Sequence, residues 1–163
     1  MIYRTLLLMR HAKSSWKHPG ASDKERPLNK RGLAAAPDMA NFLLSHKLVP
    51  DLIVSSTAVR AVMTTELLQK QWDHSPKVVF EDSLYLAPPG IYLKRLAEQG
   101  DFFETIMLVG HNPGIEELIE LLTGRSEFMS TAAVAVLNTQ SEWPNLDSKS
   151  CSLLDVFRPK EVC

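Results

Sequence analysis

Arg10 and His11 stand together at the end of an apolar run, and each suits a different part of anion chemistry. A guanidinium is permanently charged and binds oxyanions through paired N–H groups, whereas an imidazole beside it is discouraged from protonating. Such an imidazole keeps a ring nitrogen free to attack. Two other places carry similar chemistry: Ser55, Ser56 and Arg60 follow a second apolar run, and Gly110, His111 and Asn112 follow another. Two arginines and two histidines gathered in one crevice would hold a doubly charged oxyanion, most naturally a phosphoryl group. Alone, Arg10 equally suits a surface ion pair and His11 a turn.

Those residues need a frame that brings three remote segments to one edge. Residues 5–9 are apolar without polar alternation, which reads as a central strand buried on both faces. Residues 52–54, 78–80 and 105–109 read as further short strands. Between them lie helical stretches: 30–46 behind the N-cap Asn29, 58–71, a helix opened by Pro88-Pro89-Gly90 and running to 99, and 115–122. Leu33, Met39, Phe42 and Leu43 are the expected inner stripe of the first helix, which Pro37 should kink; Val62, Leu67 and Leu68 are that of the second. Residues 132–137 and 152–157 read as two closing strands around a polar connection, 138–150. This alternation predicts an α/β fold, a single domain over 1–163, with a mostly parallel sheet between helices. Parallel strands put their carboxyl ends on one edge, where ligands bind.

Composition narrows the partners. Hydrophobic residues make up 45% and charged residues 23%, as in ordinary globular chains, and a net charge of −1 gives no basic field for nucleic acid or an anionic membrane. Any positive potential must be local. Cys151 and Cys163 form no CxxC pair or zinc spacing, and the N-terminal apolar run is too short to cross a bilayer. The expectation is a cytoplasmic protein.

In order and spacing, RHAKSSW (residues 10–16), SSTAVRAVMTTELL (55–68) and VGHNPG (109–114) resemble the signature segments of the histidine phosphatase superfamily, the phosphoglycerate-mutase-like enzymes. The short chain and SDKERPLNKRG (22–32) look most like its small SixA-type branch of phosphohistidine phosphatases, and the resemblance spans residues 6–122. It implies that His11 is the nucleophile and forms a phosphohistidine intermediate, and that Arg10, Arg60 and His111 clamp the phosphoryl oxygens. No metal or other cofactor is implied, because the clamp supplies the positive charge. The implied substrate is a phosphorylated histidine protein such as a phosphotransfer domain, or a small phosphorylated molecule.

The chain departs from the family pattern at three positions. Ala12 stands where glycine is usual after the nucleophile, Lys17 where asparagine follows the tryptophan, and Leu86 where many members carry a glutamate that protonates a departing alkoxide. An alcohol leaves poorly without such an acid, but a protonated phosphoimidazole expels neutral imidazole readily. Loss of the acid therefore fits phosphohistidine. Glu81, Asp82 and Asp23 are the nearby carboxyl groups that could replace it, Asp23 first, although Asp23 equally suits a solvated pair with Arg26. Ser14 and Asn112 are further candidate substrate contacts, while His18, His46 and His74 are expected to face solvent; Trp16 is expected to anchor its loop, the other reading being an exposed contact for a bulky substrate. Two other functions share these features: a small-molecule phosphomonoesterase of the same fold, and an adaptor that binds phosphate without turnover.

Overall fold

A computed structural model describes residues 2–163 of the chain. Its central strand is β1 (Arg4–Arg10), in which Leu6, Leu7, Leu8 and Met9 are all fully buried. Because side chains alternate across a strand, Leu6 and Leu8 enter one core while Leu7 and Met9 enter the other. Burying a side chain of this size contributes about 1.5–3 kcal/mol, so this one strand ties both faces together.

The remaining elements follow in the order α1 (Lys30–Ser45), β2 (Leu52–Ser56), α2 (Val59–Lys70), β3 (Lys77–Glu81), α3 (Pro89–Ala97), β4 (Thr105–Gly110), α4 (Gly114–Thr123), β5 (Val134–Thr139), β6 (Ser152–Phe157) and α5 (Pro159–Val162). The strands form one sheet in the order β3-β2-β4-β1-β5-β6. Pairings from β3 through β1 are parallel, whereas β5 runs antiparallel to both β1 and β6. Helices α3 and α4 cover one face with Tyr92, Leu96, Ile115 and Leu118; α1 and α2 cover the other with Met39, Leu43, Ala61 and Leu68. The register places Arg10 beside Gly110 and Ser55 beside Val109. Three strand ends thus meet on one edge.

The expected helix faces need correction. On α1 the buried residues are Gly32, Ala36, Met39, Ala40 and Leu43, while Leu33 is exposed. Small residues at i, i+4 and i+8 let this helix lie close to the chain; a Cβ at position 32 would overlap the Lys13 carbonyl. Leu33 lies about 100° around from Gly32 and falls off that stripe. Asn29 does cap the helix, accepting a bond from the Gly32 N–H at 3.0 Å, and Pro37 sits inside the helix without ending it. On α2 the inner face is Arg60, Ala61, Thr64, Thr65 and Leu68, and Val62 and Leu67 are only half-buried. The polar connection after β5 also contributes to the core: Trp143 is buried and its indole donates to the Phe103 carbonyl at 2.9 Å. The first closing strand begins at Val134, two residues after its expected start.

Candidate active site

Arg10 ends β1, His11 follows it, Arg60 opens α2 and His111 follows β4. All four line a cleft of about 490 Å³ at the carboxyl edge of the parallel strands. His11 and Arg60 are buried, as is His111. The two imidazole rings lie 5.1 Å apart between centroids, and Arg60 Nε donates to His11 Nε2 at 3.3 Å. At the other side of the ring, His11 Nδ1–H donates to the Ala12 carbonyl at 2.7 Å. A neutral imidazole has one N–H, so these two bonds together fix the tautomer with its lone pair on Nε2.

His111 is held differently. Its Nε2 lies 2.8 Å from Ser56 Oγ, and its backbone N–H donates to the Tyr92 hydroxyl at 3.2 Å. Glycine is required just before it, because a Cβ at position 110 would overlap that same hydroxyl. His111 Nδ1 and Arg10 Nε are buried without a hydrogen-bond partner. Unpaired buried polar atoms are costly, and here three of them, with Asn112 Oδ1, belong to residues lining the same cleft.

The second tier of candidates divides. Ser14 lines the cleft and accepts from Arg26 Nη1 at 2.9 Å, which leaves its hydroxyl proton free to donate. Asn112 also lines it, but both amide hydrogens are engaged, by Glu116 at 3.1 Å and the Met129 carbonyl at 3.0 Å. Only its Oδ1, an acceptor, is left over. Asp23 lies behind the clamp and outside the cleft lining: its backbone carbonyl and carboxylate accept from the terminal nitrogens of Arg60 at 2.6 and 3.0 Å. Arg26 and Tyr85 also donate to that carboxylate. Of the other carboxyl groups, Asp82 bonds Thr57 and Lys24, and Glu81 lies 3.9 Å from Arg95. Neither lines the cleft, whereas Leu86 does.

Trp16 is not the packed anchor expected from the sequence. It is 80% exposed at the cleft mouth with the Arg26 guanidinium stacked 3.5 Å from its ring centre. Leu86 and Phe128 are exposed on the same rim. His18, His46 and His74 do face solvent. Sequence reasoning missed Tyr85 and Thr64, which carry no motif signal beyond their positions near Leu86 and Arg60.

Comparison with known proteins places this geometry. Residues 6–85 match the model of the histidine phosphatase superfamily, branch 1. The chain is 34% identical to a solved structure from Agrobacterium tumefaciens proposed to be the phosphohistidine phosphatase SixA, with 96% of this chain and 98% of that one covered and a TM-score of 0.82. The chain belongs to the histidine phosphatase superfamily. A structure of the protein histidine phosphatase SixA complexed with tungstate shares the fold at a TM-score of 0.84 and 21% identity, covering 98% of this chain and 99% of that one. An uncharacterised chloroplast protein of Arabidopsis thaliana is 37% identical over 83% of this chain, which spans 66% of that protein's length. The chain is thus a phosphatase of the SixA-type branch. Among the described residues no helix is long and apolar enough to cross a membrane.

Electrostatics in this phosphatase keep both imidazoles neutral. His11 is pushed down to about 3, first by burial and then by His111, Arg60 and Arg10, against the opposing bond to the Ala12 carbonyl. His111 is pushed down to about 4, again first by burial and then by Arg60. The direction agrees with the sequence expectation, but desolvation outweighs the guanidinium charges that suggested it. With a substrate of constant ionisation, kcat/KM is therefore expected to stay flat on its acid side to about pH 5, well below the ordinary histidine value near 6.5. Stability carries the opposite cost. Both folded pKa values are depressed, so the unfolded chain binds more protons and stability falls as pH drops through ~6.5 toward the folded values. The loss at pH 5 relative to pH 7 is on the order of 2 kcal/mol per histidine, measurable by urea unfolding.

Proposed function

We propose that this chain hydrolyses phosphohistidine carried on another protein, through a covalent phospho-His11 intermediate. One observation carries the reading: the cleft is lined by two imidazoles and two clamp guanidiniums, and among the described residues no carboxyl side chain lines it. A phosphate ester must expel an alkoxide, which needs a proton from the enzyme; protonated phosphohistidine expels neutral imidazole and needs none. Leu86 on the cleft wall supports that substrate class. Asp23 does not supply the acid, because the Tyr85 hydroxyl and then Arg60 hold its carboxyl down to about 2, ionised at neutral pH.

In the first step the Nε2 lone pair of His11 bonds to phosphorus as the substrate's P–N bond breaks, and the substrate imidazole leaves neutral. In the second, a water oxygen bonds to phosphorus, the Nε2–P bond breaks, and phosphate and a proton depart. Arg10, Arg60 and His111 hold the phosphoryl oxygens, and the Ser14 hydroxyl donates one further bond. Asn112, whose amide hydrogens are held by Glu116 and the Met129 carbonyl, shapes the cleft wall beside the substrate, and Asp23 orients Arg60. The exposed rim of Trp16, Leu86 and Phe128 supports a protein-borne substrate, since an open apolar collar suits a macromolecular surface. Free thiols at Cys151 and Cys163 fit a reducing, cytoplasmic setting, and residues 1–163 act as one unit.

Rates on phosphoramidate or a phosphohistidine protein are to be compared with rates on sugar phosphates. General acids contribute roughly 10²–10⁴-fold, so the P–N substrates are expected to be faster by at least about 100-fold. Leu86→Glu is expected to narrow that gap by raising ester turnover. Faster hydrolysis of sugar phosphates by the native chain contradicts the assignment.

A further inference from the structure

We propose that Thr64 is a positioning residue that locks the attacking imidazole and the Arg60 clamp into one frame; the proposal rests on the reading of His11 as phosphoryl acceptor. Thr64 lies fully buried on the inner face of α2, one helical turn after Arg60. Its hydroxyl donates to the Arg60 carbonyl at 2.7 Å, a common arrangement for threonine inside a helix. The same oxygen also accepts the Ala12 N–H at 3.0 Å, from a residue 52 positions away, two beyond the end of the central strand. That second bond is what ties the two segments together.

The bonds form a closed circuit. From Thr64 Oγ1 it runs to the Ala12 N–H and, across the Ala12 Cα, to the carbonyl of the next peptide group, which accepts from His11 Nδ1–H at 2.7 Å. From the opposite edge of that ring, Nε2 accepts from Arg60 Nε at 3.3 Å, and the Arg60 carbonyl returns to Thr64. One hydroxyl therefore holds both the residue whose carbonyl fixes the imidazole tautomer and the helix turn that carries the clamp. Thr64 itself does not line the cleft. It acts through Ala12 and Arg60. The circuit also gives a use for the Ala12 position that does not depend on glycine: the residue's N–H is bound within the protein, and its carbonyl, on the following peptide group, accepts from the ring.

Removing the hydroxyl at constant shape isolates the effect. In Thr64→Val the Ala12 N–H loses its acceptor, the backbone at Ala12 is free to shift, and the Ala12 carbonyl on the far side of its Cα moves off the Nδ1–H. The single neutral tautomer should then give way to a mixture with protons on either nitrogen, and a ring with its proton on Nε2 cannot attack. The expected result is a kcat reduced about 10- to 100-fold, a KM within about threefold of native, and His11 ring ¹⁵N shifts that move from single-tautomer values toward each other, as a tautomer average. Thr64→Ser keeps the hydroxyl and should restore both rate and single tautomer. Thr64→Ala, which adds no methyl against the Ala12 N–H, gives the same reading should the valine variant fail to fold. Native rate and tautomer in the valine or alanine variant would overturn the proposal, and so would a serine variant as impaired as the valine one. Absence of phospho-His11 in the native protein would instead refute the underlying mechanism, so the two failures are distinguishable.

Discussion

His11→Ala is expected to lower turnover of a phosphohistidine substrate by roughly 10⁴-fold or more, with no covalent phosphoenzyme formed. The size follows from the atom removed. His11 Nε2 is the one unprotonated ring nitrogen whose tautomer is fixed by bonds on both sides of the ring, to the Ala12 carbonyl and from Arg60. Nothing nearby replaces it, since His111 is tied through its own Nε2 to Ser56. The substitution should leave the fold intact, because the buried strand leading to it packs through residues 6–9 and not through the imidazole. It carries a second signature: deleting a neutral buried histidine removes its proton linkage, so the variant should lose less stability than native between pH 7 and pH 5. Steady-state rates and urea unfolding at the two pH values check both parts. Turnover within tenfold of native would remove His11 from the chemistry.

Arg60→Ala has the next largest expected effect, a loss of about 3–4 kcal/mol of barrier stabilisation, equivalent to roughly 10²–10³ in kcat. Arg60 uses every part of its guanidinium. Nε reaches His11, and the terminal nitrogens reach Asp23 at its backbone carbonyl and its carboxylate. Arg60→Lys should recover little, because a single ammonium cannot reproduce a planar fork that meets the imidazole on one side and an acid on the other. Weaker inhibition by inorganic phosphate in both variants would mark the loss as one of oxyanion binding. A lysine variant with native kcat would show that charge alone suffices.

The proposed chemistry and the fold were legible to different depths. Arg10, His11, Arg60 and His111 could be placed on one edge because each follows a short apolar run, and parallel strands align their carboxyl ends. The inner faces of α1 and α2 were legible only at Met39, Leu43 and Leu68, because the rest of each face is built from Gly32, Ala36, Ala40, Thr64 and Thr65, small or polar residues that stand out little in a hydropathy stripe. Their closeness to the sheet matters more than their apolarity. Asp23 was visible as a charged loop residue, but its partners Arg60 and Tyr85 lie 37 and 62 positions away, and no local pattern joins them. Trp16 defeated the usual expectation that a large indole packs inward, because Arg26 covers one face of it at the surface. The neutral state of His11 was anticipated from charge, whereas burial, which sequence shows only indirectly, is the larger cause.

The central claim is that His11 Nε2 itself carries the phosphoryl group during turnover. Native protein mixed with a ³²P-labelled phosphohistidine protein, quenched in alkali within one turnover and digested, should yield a single acid-labile, alkali-stable label on the peptide containing His11. Release of phosphate at the full rate with no label there, or with the label on another residue, would contradict it.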